Sequence, residues 1–407
     1  MASSRKTYGD YTVCLLCSLA VERAAVVAML DEEHPRLRAL ERDDNEYVLG
    51  RIGVHNVVVA CLPAEMAGKN LMATVVKDIQ RSFHVEFGVM IGIGGGVWSR
   101  KRDVRLGDVV VSQPEGLHGG VVQWDFGTME KGGGFWRTRS LNSPPRLLLD
   151  AVQTLRVKHW MEGDRILDNV ATMLRRKPFM IDKFSHQGAE QDRLFQASSE
   201  YNGQEICHDC NVEKTVRRAT RKTSAPKIHY GNIASGNKVM ADGKARDRIA
   251  KTEGVICFDT EAAGLMDAFP CVVIRGISNY ADSHENERWQ PYAAATAAAF
   301  AKELLGVLDK QEAKKSNHAR ESTSVKVISH AKLCASVHPL GMSELIGVNL
   351  LVSPMSCAID VNSVKSTGSH ALVYGQLKNY QREFLSSICG IGYAWSNCKN
   401  KVVDFFG

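Results

Sequence analysis

The 407 residues comprise 51 Lys+Arg against 45 Asp+Glu, a net charge of +6, with 44% apolar and 24% charged residues. This composition excludes a wholly disordered chain and leaves room for one large core or two smaller ones. The basic surplus is thin, with local concentrations at Arg217-Arg218 and Arg221-Lys222 but neither a basic stripe nor interleaved aromatics. A solvated surface is therefore expected, with no nucleic-acid and no membrane partner.

Eleven cysteines are an odd and scattered set, and Cys14, Cys17, Cys61, Cys257 and Cys271 sit inside apolar runs where a free thiol behaves as a small hydrophobe. A reducing compartment, cytoplasmic or nuclear, is the expectation. The run "YTVCLLCSLAV" after Arg5 and Lys6 has the look of a signal-peptide core, but Glu22 and Arg23 follow at once without a clear small-residue cleavage site. No apolar run is long enough to span a bilayer, so the protein is expected to be soluble and not secreted.

In chain order, residues 11–17 predict a buried strand, and "SLAVERAAVVAMLDEEH" a turn running into a helix that ends before Pro35, which places Glu22 at a strand-to-helix junction. Residues 46–63 predict a hairpin through Gly50 or Gly53, and 68–83 an amphipathic helix. A strand over 86–99 breaks into glycines, and 106–114 predicts another strand. From about 127 to 225 the pattern weakens, with one helix at 146–158, so this stretch is expected to be an insertion or a lid. Regularity returns with a strand ahead of Gly236, two strand-like runs over 257–282 and an alanine-rich helix over 292–308. Strands alternating with helices predict an α/β fold with ligand chemistry at strand ends. Beyond a charged linker after Lys310, residues 324–407 show no clear period and remain unassigned.

Three features have the composition of chemistry. The run Gly92-Ile93-Gly94-Gly95-Gly96 follows a strand and suits either a tight turn or close backbone approach to a ligand, but fits neither the dinucleotide fingerprint nor a P-loop. Cys207-His208-Asp209-Cys210 has metal-like spacing without a second pair nearby in sequence, so a loop thiol pair is expected and no metal site. Glu261 lies among small residues, where a buried carboxylate needs a partner, and Arg275 is the obvious candidate.

The ordered segments "LCSLAVERAAV", "GIGGGVWSRKRDVRLGDVVVSQP", "GVVQWDFG", "IHYGNIASGNKVM", "CFDTEAAGLM" and "VIRGISNYADSHENERWQPYAAATAAAFAKELL" resemble the purine nucleoside phosphorylase and nucleosidase superfamily. The resemblance covers roughly residues 10–308 and is nearest to a fungal branch whose domain often precedes larger signalling receptors. It implies a central mixed sheet, partly closed as a barrel and flanked by helices. It also implies cleavage of the N-glycosidic bond of purine nucleosides by water or phosphate, without metal or organic cofactor, and a homo-oligomer. Matched residue by residue, Glu261 holds the ribose hydroxyls and Glu22 activates water. Val239 and Met240 line the base pocket, Arg275 precedes the last motif, and Gly94 and Gly95 cradle the sugar or phosphate side.

Two departures matter. Thr260 stands where the family carries the methionine that packs on the sugar. Asn279 stands where the nucleosidases carry the aspartate that protonates the leaving purine, although the trimeric phosphorylases use an asparagine in a comparable role. Asp282, three residues on, is expected to be structural. Ile93 in place of a hydroxyl residue and the retained Glu22 favour water over phosphate, although Arg100, Lys101 and Arg102 lie downstream. The expectation is a nucleoside-cleaving domain over 1–310, with residues 311–407 as linker and extension; the rival is a nucleoside-binding or regulatory module, or a recruited pocket with new chemistry.

Overall fold

The computed structural model describes residues 6–38, 43–63, 69–129, 131, 135–201, 212–284 and 287–308, all within the first of two compact units, Met1–Val325. The thiol pair at 207 and 210 and the extension 311–407 lie outside the described residues. The strands are β1 (Val13–Cys17), β2 (Glu32–His34), β3 (Tyr47–Ile52), β4 (His55–Cys61), β5 (Phe87–Gly96), β6 (Val109–Ser112), β7 (Val121–Gln123), β8 (Thr128–Met129), β9 (Phe135–Trp136), β10 (Ile228–Ser235), β11 (Val255–Asp259) and β12 (Cys271–Asn279). The helices are α1 (Ala20–Ala28), α2 (Lys69–Ser82), α3 (Arg146–Glu162), α4 (Ile166–Arg176), α5 (Ile181–Phe184), α6 (Gly243–Glu253) and α7 (Trp289–Val307).

Ten strands form one mixed sheet in the order β11-β10-β6-β12-β5-β1-β4-β3-β2, with β7 beside β10. Strand β11 also pairs antiparallel with β5, Cys257 opposite Gly96 and Phe258 opposite Gly95. That extra pairing closes β5, β12, β6, β10 and β11 into a ring, while β1, β4, β3 and β2 extend from it as an open wing. The fold is thus the expected mixed sheet, partly closed as a barrel and flanked by helices.

The apolar run of β1 has its cause in two buried faces. Val13, Leu15 and Cys17 pack into a core with α1, α3, α4 and α7, whereas Cys14 and Leu16 join α2 and the segment around Leu265 on the other side. The alanines of α7 let it lie directly on the sheet: a Cβ at Gly276 of β12 would stand 1.8 Å from the Ala293 carbonyl oxygen. No helix of the described residues is long and apolar enough to cross a membrane.

One local expectation, the hairpin glycine, is resolved as one of its two alternatives, and others change. The helix expected to run towards Pro35 stops at Ala28, because Lys302 Nζ takes the Met29 carbonyl at 2.8 Å and Glu32–His34 pair with β3 as an edge strand. The hairpin turns at Gly53, whose φ is 56°. The glycine run is strand, not loop: Gly92–Gly96 complete β5 and carry the pairings that close the ring. The stretch 127–225 includes α3 and α4, whose Leu148, Val152, Val170 and Met173 belong to the core shared with α7.

Candidate active site

Arg275 is 1% exposed, on β12 opposite Gly92 of β5. A guanidinium does not shed its proton, so burial at that depth demands carboxylates. Three converge on it. Its Nε donates to Asp259 Oδ2 at 3.0 Å and its Nη2 to the same oxygen at 2.8 Å. Nη2 also reaches Glu261 Oε2 at 3.4 Å, and Nη1 stands 3.9 Å from Glu22 Oε1.

Glu22 is fixed by local chain geometry. It sits in the first turn of α1, where backbone N–H groups point outward without helical partners and the helix dipole favours an anion. Its Oε2 accepts from the Ser18 and Leu19 amides at 2.7 and 2.9 Å, and its Oε1 accepts from the Ile93 amide of β5 at 2.8 Å. The same carboxylate therefore caps α1 and joins it to β5.

The cluster holds one permanent cation against three carboxyl groups, so the interior favours keeping a proton on one of them. Burial raises the Glu261 carboxyl above its ordinary range; the Arg275 charge opposes that shift, and Asp259 and Glu22 add to it. Burial pulls the Arg275 guanidinium down, but the charges of Asp259, Glu261 and Glu22 outweigh it and hold the pKa above its usual value. The Thr260 hydroxyl donates to Glu261 Oε1, so the threonine orients the neighbouring carboxyl rather than offering the flat contact of a methionine.

The glycines of β5 are explained by what stands against them. A Cβ at Gly92 would meet Arg275 Nη1 at 2.2 Å and Glu22 Oε1 at 2.5 Å; at Gly94, Cys257 Sγ at 2.7 Å; at Gly95, Asn279 Oδ1 at 2.7 Å. Gly92 and Gly95 are three residues apart, about 10 Å along a strand. The carboxylate cluster and Asn279 are thus offset along β5, against positions whose odd spacing gives their Cβ directions opposite faces of an extended strand.

Asn279 ends β12 after an irregularity in its register with β5. Its Oδ1 accepts from the Ala281 amide at 2.9 Å, and Ala281 has a left-handed φ of 51°. A backbone N–H requires an acceptor, which fixes the amide's orientation and leaves Nδ2 as the donating end. Beside it lies an apolar cluster of Val97, Val122, Ala234, Phe258 and Ala281, with Trp124 and Met240 packed against it. Trp124 and Phe258 meet edge-on with centroids 6.4 Å apart, and Trp124 Nε1 is a buried donor without a partner among the described residues.

The structure thus gathers Glu22, Thr260, Glu261 and Arg275 in one cluster and places Gly95 against Asn279. Val239 is 71% exposed, apart from the apolar cluster that takes Met240. Asp282 faces Arg246 at 3.3 Å and accepts from the His284 amide, and Arg102 turns to Glu115 and the Tyr230 carbonyl. Sequence reasoning missed Asp259, the nearest carboxylate to Arg275, although its spacing of two from Glu261 was a signal that both face one way from an extended chain. It also missed Trp124 and Phe258, which stand inside quoted motifs. Among the described residues no group of three or more His, Cys, Asp or Glu side chains is placed to hold a metal ion.

No protein-family model matches the sequence. A nucleotide-binding leucine-rich repeat (NLR)-like protein of Hyaloscypha variabilis is 45% identical over 307 residues, which are 75% of this chain and 30% of the relative. The chain thus spans less than a third of the length of the curated relative it matches. Among solved structures, the 5'-methylthioadenosine/S-adenosylhomocysteine nucleosidase of Helicobacter pylori aligns over 73% of this chain and 99% of its own, at TM-score 0.47 and 14% identity. The futalosine hydrolase of the same organism aligns over 73% and 98%, at TM-score 0.47 and 14% identity. The corresponding methylthioadenosine nucleosidase of Neisseria meningitidis aligns over 72% and 98%, at TM-score 0.47 and 16% identity.

Proposed function

We propose that this chain cleaves the N-glycosidic bond of purine nucleosides, with water favoured over phosphate as the nucleophile. The observation that carries the proposal is the convergence of Glu22, Asp259 and Glu261 on one buried Arg275, with the donor end of Asn279 farther along β5. Cleavage passes through an oxocarbenium-like sugar while the departing base becomes electron-rich. A site with more carboxyl groups than cations stabilises the first, and an N–H donor stabilises the second.

In this assignment Glu261 takes the ribose hydroxyls, aided by Thr260, and Arg275 with Asp259 holds Glu261 in place. Glu22 orients and deprotonates the attacking water through an oxygen already fixed by backbone amides. Asn279 donates to the purine without transferring a proton, which is the weaker form of assistance. Met240, Phe258 and Trp124 form the apolar wall for the base.

A second reading, a nucleoside-binding regulatory module, is favoured by the amide at 279 and by the kinship with a much longer NLR-like protein. One assay separates the two: purified protein is incubated with adenosine, inosine, guanosine and methylthioadenosine, with and without phosphate, and free base and sugar are followed. Base release without phosphate is the expected result. Release only with phosphate would replace hydrolysis by phosphorolysis, and binding with no release would select the module.

A further inference from the structure

A cavity of about 400 Å³ opens between α3, the start of β10 and the segment that follows β6, lined by Arg102, Gln113, Glu115, Arg156, His229 and Tyr230 among others. None of Glu22, Asp259, Glu261, Arg275 or Asn279 lines it. The Arg156 guanidinium lies 4.9 Å from the ring centre of Tyr230 and 5.0 Å from that of Trp160. Its central carbon lies over both rings, yet no carboxylate pairs with it among the described residues. A guanidinium pre-oriented in this way has its donors available for a multi-oxygen anion.

The other groups of the wall extend that chemistry. Arg102 donates to the Tyr230 carbonyl at 2.9 Å and to Glu115 Oε1 at 2.5 Å. Among the described residues that line the cavity, Glu115 is the one carboxylate against two arginines, which leaves a positive excess at its wall. His229 adds a ring whose Nε2 is already engaged by Asp108 at 2.9 Å. Gln113 Oε1 is buried and has no hydrogen-bond partner among the described residues, a condition that favours an incoming hydroxyl or N–H donor. The volume exceeds that of a lone oxyanion and falls in the range of metabolite pockets.

We propose that this cavity binds a phosphate ester of a hydroxylated sugar, its phosphate on Arg156 and Arg102 and a sugar hydroxyl donating to Gln113 Oε1. A free sugar phosphate and a nucleoside monophosphate share this chemistry. The proposal is independent of nucleoside cleavage at the Glu261 cluster.

Calorimetric titration of the full chain with ribose 5-phosphate, AMP, ribose and inorganic phosphate tests it. One or both esters bind and ribose does not; comparison of the two esters identifies the source. Arg156→Met weakens ester binding by about tenfold or more, and Gln113→Leu by roughly threefold to tenfold, with unchanged circular dichroism. Glu261→Gln leaves ester binding unaltered. The proposal fails if neither ester binds, if inorganic phosphate binds as tightly as the esters, or if a folded Arg156→Met protein binds them as well as the parent. It fails equally if Glu261→Gln abolishes binding, which would move the ester to the nucleoside site.

Discussion

Removal of Arg275 would leave three buried carboxyl groups facing one another without a cation. Arg275→Met is expected to destabilise the protein by about 3–5 kcal/mol, because it strands buried charges, and urea unfolding at neutral pH measures this. Glu261 gives a pH signature. Its folded pKa lies above that of the unfolded chain, so across the window between them the native state holds more protons and stability falls as pH rises. Glu261→Gln removes that part of the slope, as denaturant midpoints from pH 4 upward, near and above the ordinary glutamate value of about 4.3, will register. At the far end of the proposed site, Asn279→Asp restores a proton donor and should raise the rate of base release by about 10²–10⁴-fold; an unchanged rate would mean that residue 279 does not face the leaving nitrogen. Glu261 and Arg275 were legible because small and apolar neighbours leave a carboxylate and a guanidinium no other explanation. The pinning of Asn279 by Ala281 was not, since it depends on a left-handed alanine that no pattern of residue types announces.

Elements meet at glycines. At Gly276 the backbone of α7 touches that of β12, so Gly276→Ala must push the helix off the sheet and is expected to cost about 3 kcal/mol, seen as a lower urea midpoint. Gly92→Ala acts on side chains instead, displacing Arg275 and Glu22. It should therefore depress nucleoside binding more than stability, a contrast that calorimetry beside an unfolding curve will expose. Strands β1, β4 and β12 were readable from apolar runs, and α7 from its alanines. Strand β2 was not, because two of its three residues are glutamates and only pairing with β3 makes them a strand. Helix α6 was equally silent: its sequence GKARDRIAKTE has few apolar residues, and its start is fixed by the Asp242 carboxylate accepting from the Lys244 and Ala245 amides.

Across the whole molecule, the segment after residue 212 is tied to the ring by ion pairs. Arg221 donates to both oxygens of the buried Asp108 at 2.6 Å, and Arg218 bonds to the Tyr280 hydroxyl and Asp192. Arg221→Ala is expected to make residues 212–225 the first site of limited proteolysis, because Asp108 loses its cation and the segment its anchor. The division of the chain at residue 310 is our proposal, and residues 1–310 produced alone should melt within about 4 °C of the full chain if the core is self-sufficient. A partly closed sheet was legible only through family resemblance, since no local pattern foretells that residues 95 and 96 will pair with 257 and 258.

That pairing also sets an order of events during synthesis. The ring cannot close until β11 has emerged, long after β5 was made, and contacts so distant in sequence slow folding. Glu22 belongs to α1, while Asp259, Glu261 and Arg275 come from β11, the turn after it and β12, far later in the chain. A nascent chain therefore carries a completed wing and an unpaired β5 edge for much of its translation, an interval in which a chaperone or a neighbouring chain has its best access to that edge.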